Sequence, residues 1–218
     1  MDPALLLAPG AAVLGWQAWR LRREARARAA ARAGFLDPCR PLFEGAEVRP
    51  EPHGFPRLRG AHGGAFFDLR VVPDALAVRK LPALWLLATL AGPQPVAATC
   101  HLMLRPRGAE TFSRFHLLPV ALPALPGVPE DHGLRSDGDA PAPAALALPV
   151  ARLGSDGLKE VVASPRGLRV TALMEEADRG RFLLFRDAEM GREPLDPARL
   201  RPILAALLAL RDALGEGR

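Results

Sequence analysis

The five histidines and two cysteines of this 218-residue chain are the side chains best suited to metal binding or nucleophilic attack. Cys100 and His101 are adjacent, so on a strand they point to opposite faces and hold no metal between them. Cys39, His53, His62, His116 and His132 match no C-x2-C, H-E-x-x-H or C-x-x-C-H spacing. Ser113, Ser136, Ser155 and Ser164 stand in polar or turn contexts, and no G-x-S-x-G element surrounds any of them. A Cys39 thiolate activated by His53 or His62 has no local signature either. Glu175, Glu176, Asp187 and Glu189 lie near Arg181 and Arg186, which is the pattern of solvated ion pairs. The sequence names no catalytic residue, no metal ligand and no cofactor motif.

The segment from Gly54 to Gly64, GFPRLRGAHGG, offers the most chemistry. Glycine amides beside two arginines and a histidine can hold a phosphate or carboxylate, so Arg57, Arg59 and His62 are the candidate anion-binding residues. The segment is neither G-x-G-x-x-G nor a P-loop. The competing reading is a wrap whose arginines pair with carboxylates of the body.

Charge is distributed unevenly. Residues 20–32 hold six Arg and one Glu, whereas the remainder carries 23 basic and 23 acidic residues. A neutral body lacks the broad basic face that phosphate neutralisation needs, so no nucleic-acid partner is expected. Residues 3–19 are uncharged. As a helix they rise about 26 Å, close to the roughly 30 Å of a bilayer core. Trp16 and Trp19, followed by Arg20, Arg22 and Arg23, fit a membrane interface, and basic residues after the apolar run place the later chain in the cytoplasm. A cleaved signal peptide would begin with a basic region, and this chain opens Met1-Asp2-Pro3. The expectation is a single-pass anchor contacting membrane lipid, against the alternative of a first helix packed on its own core. The ratio of 27 Arg to 2 Lys points to a GC-rich bacterial genome and hence to the inner membrane.

The elements that must position these residues follow from periodicity. Residues 1–33 are expected to form the anchor and stalk, 34–65 a Gly/Pro-rich linker or wrap, and 66–218 a globular domain. Strands are expected at 66–72, 84–90, 96–104, 168–175 and 181–187, with 84–104 folding as a buried hairpin and Glu176 opposite Arg181 in a second one. Residues 75–80 read equally as a helical turn or a strand. The proline-rich stretch 117–151 should be a loop lying over the core. Asp196-Pro197 caps a helix whose Leu200, Ile203, Leu204, Leu207, Leu210 and Leu214 form one apolar face. No internal repeat or heptad pattern organises the chain. The resulting fold is α+β with a largely antiparallel sheet. A tether on a neutral body without reactive groups implies binding or assembly, not catalysis, with a protein partner through the proline-rich loop or the C-terminal helix. The alternative is an enzyme acting on an anionic substrate near 54–64.

Overall fold

A computed structural model describes residues 3–75, 81–106, 108, 110–139, 142–186 and 188–216, with side chains from residue 13 onward in the first helix. The ambiguous 75–80 element lies almost wholly outside the described residues, as does Asp187. Among the described residues nine strands form one fully antiparallel sheet: β1 Glu44–Pro50, β2 Pro56–His62, β3 Ala65–Asp74, β4 Ala83–Ala91, β5 Cys100–Leu104, β6 Val120–Ala121, β7 His132–Ser136, β8 Leu158–Ser164 and β9 Gly167–Glu176. Their spatial order is β1-β2-β3-β4-β9-β8-β5-β7-β6. The helices are α1 Pro3–Ala33, α2 Leu148–Leu153, α3 Arg179–Phe185 and α4 Pro197–Glu216. The α+β class and the C-terminal helix stand as expected.

Strict alternation divides the sheet into two faces. Leu58, Leu69, Ala88, Val170, Val161, Leu102 and Leu134 lie in one cross-strand row, all buried. Against this face packs α4, whose Leu200, Leu204, Leu207 and Leu210 are fully buried. Asp196 accepts a hydrogen bond from the Ala198 amide at 2.8 Å, which closes the start of that helix. The C-terminal helix therefore covers the sheet of its own chain, and Arg211 emerges at the rim, paired with Asp212.

Several expectations are corrected. Residues 44–62 are two paired strands, not an irregular wrap, because a single tight turn at 51–55 joins them and Leu58 alternates with arginines. The hairpin expected over 84–104 does not form: β4 pairs with β3 and β9, while β5 pairs with β7 and β8. Residues 181–185 of the expected strand 181–187 belong instead to α3. Asp178 accepts from the Arg181 amide at 2.7 Å and caps α3, so local capping overrides the apolar run. The proline-rich stretch contributes β6, β7 and α2.

The membrane anchor is overturned. Among the described residues no helix is long and apolar enough to cross a membrane. Pro9, Gly10, Gly15 and Gln17 dilute the leucines before Arg20, and the helix continues unbroken through the arginines to Ala33. The single-pass inner-membrane placement falls with it, and so does the basis for an interfacial role of Trp16, Trp19, Arg20, Arg22 and Arg23.

Candidate functional site

The face of the sheet opposite α4 is polar. Arg59, Asp68, Thr89, Arg169, Val162, His101 and Arg135 follow one another across seven strands. A register shift in β8 sets the most buried member of this face. Leu158 and Glu160, two residues apart, would share a side of a regular strand. Lys159 is inserted as an extra residue between the pairs Leu158–Ala172 and Glu160–Thr171. Leu158 therefore enters the core, and Glu160 turns to the polar face.

The Glu160 side chain is fully enclosed. His101 Nδ1 donates to its Oε1 at 2.9 Å, Ser113 Oγ donates to the same oxygen, and Arg169 Nη2 donates to Oε2 at 2.8 Å. Burial alone pushes this carboxyl up. The His101 hydrogen bond and the Arg169 charge outweigh it, holding the group below the usual glutamate range. A nucleophilic triad needs its base between nucleophile and acid. Here the carboxylate stands between Ser113 and His101, which is not the triad order, and a carboxylate held below the ordinary range is a weak base for the hydroxyl. The cluster clamps the segment at Ser113 onto the sheet.

Beside it opens a cleft of about 460 Å³ lined by Trp85, Arg105, Glu110, Asp156, Lys159 and Glu176 among others. Among the described residues that line it, the two cations are engaged by the protein itself. Arg105 Nη2 donates to the carbonyls of Ser155, Asp156 and Leu158, and Lys159 Nζ meets Glu110 at 3.1 Å and the Arg105 carbonyl at 2.7 Å. Arg105 adopts φ +46°, so this latch holds a backbone conformation that costs a non-glycine residue energy.

The sequence-predicted anion residues separate into two groups. Arg57 and Arg59 alternate onto the polar face and share Asp68, with Arg57 Nε donating at 2.7 Å and Arg59 Nε at 3.2 Å. His62 lies on the other side of β2, beside Phe43 and Phe67, with Nδ1 at 2.7 Å from the Leu42 carbonyl. Any anion at Arg57 and Arg59 must compete with an existing carboxylate, and His62 is not placed to join them. Both thiols are buried. Burial, reinforced by Asp196, pushes Cys39 up to about 11, and burial likewise raises Cys100 against the Ser136 hydrogen bond. Neither is a ready thiolate. Among the described residues no group of three or more His, Cys, Asp or Glu is arranged to hold a metal ion.

An exposed apolar surface lies elsewhere. A helix of 31 residues extends about 46 Å, and every residue of α1 from 13 to 30 is exposed. Val13, Leu14, Trp16, Trp19 and Leu21 are each more than half exposed. Arg32 stacks over Phe55 at the base of this helix, where Glu189 is held by Arg192 and Arg181 and feels the charge of Arg28. Arg181 belongs to α3, whose Leu183, Leu184 and Phe185 are also exposed. Sequence reading assigned the apolar run of α1 to lipid and the last of these apolar residues to a strand, so it missed their common character as open helical surface. No protein-family model, curated protein or solved structure matches the chain.

Proposed function

We propose that this chain is a non-catalytic binding or assembly protein whose α+β body presents α1 as its docking element. The observation that carries the reading is the uninterrupted exposure of residues 13–30, including Leu14 and Leu21. A helix of this kind gains little from its own body, and helices in water draw most of their stability from packing an apolar face. Large exposed apolar side chains joined to a basic run are the composition of a helix that lays itself against another protein. The polar sheet face supports the same reading from the other side, since Arg57 and Arg59 are paired with Asp68 and Arg169 with Glu160. A second observation extends the surface. The Leu183–Phe185 patch belongs to the helix that Arg181 and Glu189 connect to the base of α1, so a partner following α1 toward the body meets a further apolar contact.

Trypsin tests this directly, because six arginines lie along α1 and cleavage of a helix requires local opening. In a gently prepared native extract, cleavage at Arg20–Arg28 is expected to be at least tenfold slower than in the purified, diluted full chain. Equal rates in both samples would contradict a docked helix.

A further inference from the structure

We infer that the occupant of the α1 surface is α1 of a second copy of this chain, paired antiparallel; this rests on the reading of α1 as a docking helix. Once the helix is known, a seven-residue series emerges along it: Leu14 and Leu21 alternate with Ala18 and Ala25, and the sequence continues the series backward through Ala11, Leu7 and Ala4. It spans only three heptads, which is why it escapes a search of the whole chain for repeats. A strict seven-residue alternation is the period of a helix facing another helix, not of one facing a sheet.

The residue types select the orientation. In an in-register parallel pair, leucine would meet leucine and alanine would meet alanine, so successive layers would differ in width. Antiparallel pairing centred near Trp16 sets Leu14 of each copy against Ala18 of the other, one large residue against one small. Charge selects the same arrangement. A parallel pair aligns two basic runs with a local excess of five each, whereas the antiparallel pair lays each run beside the uncharged half of its mate. Trp16 and Trp19 fall on the outer side, where Arg20 and Arg23 already cover their rings at 5.7 and 5.5 Å. The contact is isologous, so it closes as a two-fold dimer.

Sedimentation equilibrium on the purified full chain is expected to give twice the 23.4 kDa mass. Leu14→Glu with Leu21→Glu is expected to give a monomer at every concentration while the body's thermal transition stays unchanged. The milder Leu14→Ala with Leu21→Ala keeps helix propensity and should weaken association at least tenfold. Trp16→Ser with Trp19→Ser should leave the dimer intact. Spin labels on Ala27→Cys are expected about 33 Å apart in the antiparallel dimer. A monomeric parent overturns the inference, whether it floats with phosphatidylglycerol-containing vesicles or binds a different protein. So does a dimer that survives the glutamate variant or shows labels within about 15 Å. A monomer whose α1 is nonetheless shielded from trypsin in extract would remove the second copy and leave the docking role of α1 standing.

Discussion

Glu160→Ala is expected to cost about 3–5 kcal/mol of folding stability, the range for breaking a buried, hydrogen-bonded ion cluster by removing one partner. The carboxylate is enclosed and receives His101, Ser113 and Arg169, so its loss strands three polar groups beneath the segment that Ser113 fastens. Arg169 already has an unpaired buried Nε, which leaves its guanidinium little alternative. Urea denaturation of the parent and the variant checks this. The same residue sets a pH dependence. Its folded-state pKa lies below the ordinary value of 4.5, so its contribution is complete above that value and is lost as pH falls through the depressed folded value. The parent's thermal midpoint should therefore fall more steeply below about pH 4.5 than that of Glu160→Gln. Parallel curves for the two proteins would show that Glu160 is not the group responsible.

Gly191→Ala is expected to lose about 3 kcal/mol, comparable to a severe core defect. Gly191 has φ +74°, where a side chain costs roughly 1–2 kcal/mol. An added Cβ would also stand 2.4 Å from Phe55 Cε1 and 2.7 Å from Cζ. Phe55 is 2% exposed and meets Phe35 edge-on at 5.6 Å, so its ring has nowhere to retreat, and overpacking adds a further 1–3 kcal/mol. The Gly191 amide also donates to Glu175 at 2.8 Å, fixing the loop that leads into α4. By contrast Gly45→Ala meets nothing within 4 Å and carries only the backbone cost of φ +61°. A denaturation midpoint for Gly191→Ala equal to that of Gly45→Ala would refute this account of the Phe55 contact.

What the sequence makes legible is the apolar face of the fold. The α4 stripe, the Asp196 cap and the strands β3, β4 and β9 are carried by local period and capping chemistry. What it hides depends on long-range pairing. The strand at 158–164 opens Leu-Lys-Glu and is absent from the sequence-based expectations, because nothing local shows that Glu110 will meet Lys159 and Arg169 will meet Glu160. The pairing of β4 with β9 instead of β5 likewise joins residues far apart in the chain, from Ala91 with Gly167 to Ala83 with Glu176. Arg57 and Arg59 attract attention as free cations only until Asp68 appears opposite Arg59. In α1, length and composition point to a bilayer, while Leu and Ala alternate along it on a seven-residue period.

The most direct test of the central claim is photo-crosslinking from position 17 of the intact chain, in the cells it comes from. Gln17 flanks the proposed seam, and exposed Arg201 on α4 serves as the reference position. A docked α1 predicts one or two discrete adducts from position 17, absent from position 201 and lost with Leu14→Glu and Leu21→Glu. An adduct of two chains would match the antiparallel dimer, and an adduct with another protein would keep the docking role while replacing the partner. The same faint smear from positions 17 and 201 would contradict the account, because α1 would then have no fixed partner at all.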